Sequence, residues 1–290
     1  MSSDPARPHT ELSLLPPLQD LEGVRIMRRA IAASRELAAL KQACALLPDP
    51  SVLVNTLPVL EAHDSSEIEN LVTTADELFR LASRENAPAD PPAKEAYRYR
   101  TALRAGFDEL GARPLSIDTA VRLCSILLDT DAGVRDEAGV YIGNRVTREA
   151  VYTPPLGRGV LQKLLANWET YLQADTGPDP LIRMAVLHYQ FEAIHPFVDG
   201  NGRTGRLLNM LYLAERGLLP LPVLYLSRYI LRTRLAYYTL ITEVTRHQRW
   251  ADWILYMLTG IEETARWTLD RIDAVRALME ETAERIRRDA

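Results

Sequence analysis

Apolar residues recur every three or four positions along most of the chain, a period that predicts a mostly helical protein. In residues 24–47 the stripe is Ile26, Ala30, Ala33, Leu37, Leu40, Cys44 and Leu47, and Pro48 ends it. Residues 50–82 continue the helical pattern, with Pro58 early and a break expected at 72–74, where β-branched residues adjoin a new cap. The stretch 83–96 is rich in Pro, Ala and charge, lacks periodicity and predicts a connector. Helical spacing returns over 95–110, over 116–129 with Ser116 or Asp118 as the cap, and over 158–173. Residues 180–194 predict a helix capped by Asp179, with Pro180 in its first position. Leu207, Leu208, Leu211 and Leu213 continue the pattern up to a stop at Gly217, and Ile254, Leu258, Ile261, Ala265, Leu269 and Ile272 mark a last long helix with a strongly charged end.

One segment departs from this period. Residues 139–142 (GVYI) and 150–155 (AVYTPP) are short runs of β-type residues around a polar turn that contains Gly143 and Asn144, as expected of a hairpin.

Composition narrows the function classes. A chain of 290 residues can hold about two ordinary domains, and a formal net charge of −5 gives no general reason to expect nucleic-acid binding. Cys44 and Cys124 both lie in apolar helical sequence, which points to buried free thiols in a reducing compartment. No apolar run approaches the ~18 residues of a membrane span and no basic-then-apolar leader opens the chain, so the expectation is a cytoplasmic protein without membrane contact. His9, His63 and His247 show no metal-ligand spacing with Cys or acid, so no zinc site is expected, and His188, inside a helical pattern, reads as structural.

The chemistry concentrates in residues 195–206, HPFVDGNGRTGR. Gly200 and Gly202 bracket Asn201 and permit left-handed backbone that turns successive N–H groups toward one point. A helix begins there, so the cradle lies at the positive end of its dipole, with Arg203 and Arg206 three apart on one face. Such an arrangement suits a polyphosphate. Asp199 beside it suits Mg²⁺, which takes one or two carboxylates with phosphate oxygens and water. His195, with an ordinary pKa of ~6.5, suits removal of a proton from an attacking hydroxyl.

The same stretch matches the signature H-x-F-x-[D/E]-G-N-G-R-x-x-R at His195, Phe197, Asp199, Gly200, Asn201, Gly202, Arg203 and Arg206, and so resembles the Fic family. The likeness runs through most of residues 15–260. It implies an all-α Fic-type core with a small β-hairpin flap, preceded by an N-terminal helical region. The expected division is 1–92 for the N-terminal region, 93–248 for the catalytic core and 249–290 for a C-terminal helical extension. By resemblance the activity is transfer of AMP from Mg·ATP to a Ser, Thr or Tyr hydroxyl of a target protein. His195 becomes the general base and Asp199 the Mg²⁺ ligand. Asn201 with the loop amides, including Gly200 and Gly202, holds the α-phosphate, Arg203 and Arg206 hold the outer phosphates, and Phe197 anchors the loop in the core.

Three further parts follow from the resemblance. The hairpin, about 140–157, becomes a flap that holds the target by main-chain pairing, with Val151, Tyr152 and Thr153 on the target-facing strand. Residues 65–70, SSEIEN, fit the pattern [S/T]-x-x-x-E-[G/N] through Ser65, Glu69 and Asn70, implying an inhibitory helix whose Glu69 takes Arg206 away from the γ-phosphate. Tyr237 and Tyr238 correspond to a tyrosine pair near the nucleotide in some relatives, and at most one is expected to touch it. The reading admits self-modification and a homodimer. Many relatives continue into a winged-helix module and this sequence does not, so DNA binding is not expected of this chain. The alternatives are removal of AMP from modified protein with Glu69 orienting a water, transfer of a different group such as phosphate or phosphocholine, and a non-enzymatic nucleotide sensor.

Overall fold

The computed structural model describes residues 4–47, 51–83, 90–136, 140–144 and 149–289. The helical stripes fold as α1 (Val24–Ala45), α2 (Ser51–Ile68), α3 (Ala75–Ser83), α4 (Pro91–Glu109) and α5 (Ile117–Leu128). A two-stranded antiparallel sheet follows, β1 (Ile142–Asn144) and β2 (Glu149–Tyr152). The chain continues through α6 (Arg158–Gln173), α7 (Pro180–Ile194), α8 (Asn201–Glu215), α9 (Leu226–Arg232), α10 (Arg234–His247) and α11 (Trp250–Asp289). The fold is all-α with a small hairpin. No helix among the described residues is long and apolar enough to cross a membrane.

Helix α7 is the axis of the molecule. Every residue from Leu181 to Ile194 is buried, as in a helix packed on all sides. Asp179 caps it through a 2.8 Å bond from the Leu181 N–H, with Pro180 at its start. Two tryptophans hold it by their indole N–H groups, Trp168 on α6 to the Leu187 carbonyl at 2.9 Å and Trp253 on α11 to the Ala185 carbonyl at 2.8 Å. Outside this layer, Ile26, Ala30, Ala33, Leu37, Leu40 and Cys44 form the buried stripe by which α1 packs on α11. Both cysteines are free and buried.

Several boundaries differ from the sequence reading. Helix α4 starts at Pro91, inside the expected connector, because Asp90 accepts the Ala93 N–H and a proline at the first helical position loses no intrahelical bond. Ser116, not Asp118, caps α5 through a reciprocal capping box with Thr119. Gly143 and Asn144 belong to β1 rather than to the turn: Ile142 pairs with Tyr152 and Gly143 with Ala150, so a bulge falls between Ile142 and Gly143. The expected turn residues 145–148 lie outside the described residues, as do residues 84–89 of the connector.

Candidate active site

Residues 195–200 form the loop between α7 and α8. Two positions take left-handed backbone, His195 at φ 52° and Gly200 at φ 79°. Gly200 needs its glycine twice over, since a Cβ there would also lie 3.3 Å from Cys124 Sγ. Gly202 was expected to be left-handed as well but is helical, the second residue of α8. It is small for a different reason: a Cβ would fall 2.3 Å from Glu69 Oε1.

Side chains fix the loop. Asn201 is 2 % exposed; its Oδ1 accepts the Phe197 N–H at 2.8 Å and its Nδ2 donates to the Phe197 carbonyl at 2.8 Å. The asparagine side chain is therefore spent on the loop, which corrects the expectation that it faces a phosphate; what residue 201 can offer an anion is its backbone N–H. Phe197 is a core anchor, packed edge-on to Phe191. No side-chain hydrogen bond from the cap residue closes the start of α8, whose first N–H groups have no intrahelical acceptor and lie at the positive end of the helix.

His195 is half-buried. Its Nδ1 lies 3.3 Å from the Glu192 carbonyl, which can only accept, so Nδ1 carries the hydrogen and Nε2 keeps a free lone pair. Burial lowers its pKa to about 4, and the Arg135 charge acts in the same direction. The imidazole is neutral near pH 7. Asp199 stands on the same loop with its carboxyl 65 % exposed, accepting the Gly200 N–H at 2.7 Å.

Both arginines of α8 are buried and both have acidic partners. Arg203 Nη1 donates to Glu95 Oε1 of α4 at 2.6 Å. Arg206 Nε donates to Ser65 Oγ, and its Nη2 to the Ser65 carbonyl and to Glu69 Oε1, each at 2.9 Å. Glu69 follows the last residue of α2, at the helix's C-cap, where the chain turns. The Leu71 N–H bonds to the Ser66 carbonyl and the Asn70 N–H to the Glu67 carbonyl, while Asn70 takes φ 64°. That is a Schellman stop, and it explains why asparagine or glycine must follow the glutamate. Burial raises the Glu69 pKa, but the Arg206 charge and hydrogen bond outweigh it and keep the carboxyl ionised.

The tyrosine pair divides. Tyr237 is 2 % exposed and shares a 2.8 Å hydrogen bond with His188 Nε2, so it is a core residue, and His188 is structural as read, with burial lowering its pKa to about 3. Tyr238, 37 % exposed, is the one a ligand can reach. On the flap, Val151 is exposed, but the Tyr152 hydroxyl donates to the Ala193 carbonyl at 2.8 Å. Thr153 is engaged by the chain's own N-terminal segment: its hydroxyl donates to the Pro5 carbonyl and its carbonyl accepts the His9 N–H. The strand face left open is shorter than the reading supposed.

Sequence reasoning missed four participants. Glu95 fell in the expected connector. Cys124 donates to the Asp199 carbonyl at 3.5 Å, from a helix that gave only an apolar signal. Glu192 is buried beside Gly205, and burial raises its pKa to about 8. Arg135 lies in sequence without periodicity. The sequence reading also passed over one spacing: His63, Asp64 and Glu67 bring ligand atoms within 4.8 Å of one another, an i, i+1, i+4 set on α2, although both His63 nitrogens are engaged by Asp64 Oδ1 and the Thr73 carbonyl.

Comparison with known proteins follows this geometry. Residues 27–108 match the family model described as Fic/DOC family N-terminal, and residues 114–213 match that of the Fic/DOC family. The protein adenylyltransferase fic-1 of Caenorhabditis briggsae is 36% identical over 97 residues, 32% of this chain and 18% of that protein. The protein adenylyltransferase Fic of Drosophila ananassae is 37% identical over 83 residues, 28% of this chain and 15% of that protein. The similarity thus spans less than a fifth of those relatives' length. Among solved structures, a Fic family protein from Desulfovibrio desulfuricans G20 superposes with a TM-score of 0.69 at 20% identity, over 89% of this chain and 77% of that one. Fic-1 from C. elegans (aa134–508) gives 0.62 at 18%, over 88% and 75%.

Proposed function

The chain belongs to the Fic/DOC family, and from that premise we propose that it is a protein adenylyltransferase held inactive by its own α2. The observation that carries the reading is the state of two side chains, one at the start of the loop and one in the helix that follows it: a neutral His195 with Nε2 free, and an Arg206 whose guanidinium is taken by Ser65 and Glu69.

ATP would lay its phosphates along the α8 N-terminus, where unpaired N–H groups and the helix dipole favour anions. The target's hydroxyl oxygen bonds to the α-phosphorus as the bond from that phosphorus to the bridging oxygen breaks. The hydroxyl proton passes to His195 Nε2, and pyrophosphate leaves with the bonding electrons. A donor set of one exposed hard carboxylate, Asp199, beside the phosphate cradle fits Mg²⁺ completed by phosphate oxygens and water. Bound there, Mg²⁺ would draw charge from the phosphate oxygens.

Inhibition is competition for one guanidinium. While Arg206 binds Glu69 it cannot bind the γ-phosphate, and without that anchor the α-phosphate is not aligned for in-line attack. Gly202 supports this account, because any side chain there would exclude Glu69 from its seat. The target is a protein of unknown identity, the protein itself included as an acceptor, and the reaction suits a cytoplasmic setting where Mg·ATP is supplied.

A second reading rests on the same carboxylate. Glu69 is ionised, 29 % exposed and electrostatically coupled to His195, which suits it to orient a water that removes AMP from a modified protein. Labelling decides between these readings and a nucleotide sensor. Glu69→Gly incubated with ATP labelled at the α-phosphate should label protein, and γ-label should not transfer. Transfer of γ-label means phosphate transfer; release of AMP from modified protein by the parent supports removal; binding without either reaction supports the sensor.

A further inference from the structure

The C-terminus of α7 ends in a run of carbonyls that the helix itself cannot satisfy. Their partners can be followed one by one. The Glu192 carbonyl faces His195 Nδ1 at 3.3 Å, and the Ala193 carbonyl accepts the Tyr152 hydroxyl at 2.8 Å. The next three go to a single residue. Arg135 Nη2 donates to the Ile194 carbonyl at 3.2 Å, Arg135 Nε to the His195 carbonyl at 2.7 Å, and the Arg135 backbone N–H to the Pro196 carbonyl at 2.9 Å. The same Nη2 also donates to the Pro155 carbonyl at 2.6 Å, where the chain leaves the flap.

Arg135 is 5 % exposed. A buried guanidinium that donates to main-chain carbonyls is not a surface ion pair, and its planar fork can hold several acceptors in fixed directions as an ammonium cannot. It also places a positive charge at the negative end of the α7 dipole. Its position matters because His195 is a non-glycine residue in left-handed backbone, a conformation that its surroundings must hold in place.

We propose that Arg135 is a positioning residue of the transfer reaction, locking the His195 backbone and the base of the flap in one register, so that the imidazole Nε2 and the hydroxyl presented by the flap meet. The proposal rests on the reading that His195 accepts that hydroxyl's proton. The hydrogen bonds of Arg135 go to Pro155, Ile194, His195 and Pro196 and not to the residues proposed to hold phosphate, so its loss should act on the chemical step rather than on nucleotide binding. Its charge also helps keep His195 neutral, so its removal should move the histidine's titration upward.

The test compares Arg135→Met and Arg135→Lys in the Glu69→Gly background, with nucleotide affinity, transfer rate and the His195 ring signals by NMR measured on each. Transfer should fall by roughly a hundredfold in Arg135→Met, the loss typical of a misplaced reacting group, with ATP affinity held within about twofold. The His195 titration should rise and its Nδ1–H form lose exclusivity. Arg135→Lys keeps charge without the fork and should fall between, and added guanidinium ion should restore part of the Arg135→Met loss. If Arg135→Lys transfers as fast as its parent, or ATP affinity falls as far as the rate does, the assignment is wrong. A further measurement needs no variant: the Arg135 Nε–H signal should exchange slowly with solvent in the parent, and exchange as fast as in exposed arginines overturns the clamp. Failure of the transferase reading would show separately, as no transfer in Glu69→Gly itself, and the NMR measurements would still decide the role of Arg135.

Discussion

Replacing Glu69 by glycine should destabilise the protein when nucleotide is absent and let Mg·ATP restore most of the loss. From sequence, Glu69 reads as a helix residue whose change to glycine costs ~1 kcal/mol relative to alanine. The structure changes that estimate, because Glu69 lies just past the end of α2 and its main role is as counter-ion to a guanidinium 2 % exposed. Unit charges 2.9 Å apart attract by roughly 6 kcal/mol at an effective dielectric constant of ~20, before the cost of desolvation. Removing one partner of a buried pair typically costs about 3–5 kcal/mol, since the other charge is left behind. The Ser65 hydroxyl and carbonyl still accept from Arg206, and Glu69 is 29 % exposed, so a value at or below the bottom of that range, ~2–3 kcal/mol, is the expectation here. For a chain of this size that is a fall in Tm of about 5–10 °C. Mg·ATP at about a hundred times its Kd adds ~2.7 kcal/mol, and in the variant its γ-phosphate takes the vacated place at Arg206. The assay is thermal unfolding of parent and variant over an ATP titration. An unchanged Tm without ATP, or equal ATP shifts in both proteins, would refute the claim that carboxylate and phosphate compete for Arg206.

Other substitutions separate the remaining parts. His195→Ala in the Glu69→Gly background should bind ATP normally and lose transfer by roughly 10²–10⁴-fold; a residual rate within a few-fold of its parent removes the histidine from the chemistry. The base is neutral down to a pKa of about 4, so the rate should stay flat from neutral pH and fall on the acid side only as His195 protonates there, whereas a limb near ~6.5 would mean an ordinary exposed histidine. The stability sign agrees: a folded pKa depressed from 6.5 to about 4 gives a contribution present above the unfolded value and lost as pH falls through that window, measurable as a falling Tm that His195→Ala lacks. Asp199→Ala should raise the Mg²⁺ requirement of transfer strongly while costing only its part-buried hydrogen bond to the Gly200 N–H and a 3.9 Å contact with Arg203, ~1–2 kcal/mol together, and an unchanged Mg²⁺ titration counts against the ligand assignment. Asn201→Ala leaves the buried Phe197 N–H and carbonyl unpaired, at about 1–3 kcal/mol each, so it should destabilise the loop more than Asp199→Ala does; equal Tm values would deny the brace.

The sequence made the helices legible where a single face meets the core. The stripe of α1 and the Asp-Pro start of α7 could be read directly, because burial on one side and capping chemistry are both local. The loop signature was legible for the same reason: its residues lie within twelve positions. What could not be read were partners distant in sequence. Cys124 and Arg135 reach the loop from α5 and the segment before the hairpin, Glu95 reaches Arg203 of α8 from α4, and none carries a local pattern that marks it. Gly202 was recognised as essential but for the wrong cause, since only the fold shows that the space over it belongs to Glu69, 133 positions earlier by the difference of the two residue numbers. Asn201 was assigned to the α-phosphate by the family resemblance, and the two bonds to Phe197 that consume its side chain depend on a loop geometry that composition does not encode.

The central claim is that this loop transfers AMP once Arg206 is released. Mass spectrometry of the parent, Glu69→Gly and Arg206→Ala proteins after incubation with Mg·ATP, alone and in a cell lysate, tests it most directly. Both substitutions break the same ion pair, but only Glu69→Gly keeps the guanidinium for phosphate. The account expects an adenylyl group on protein with Glu69→Gly, little with the parent and none with Arg206→Ala. A folded, ATP-binding Glu69→Gly protein that adds no adenylyl group to itself or to any lysate protein would contradict it.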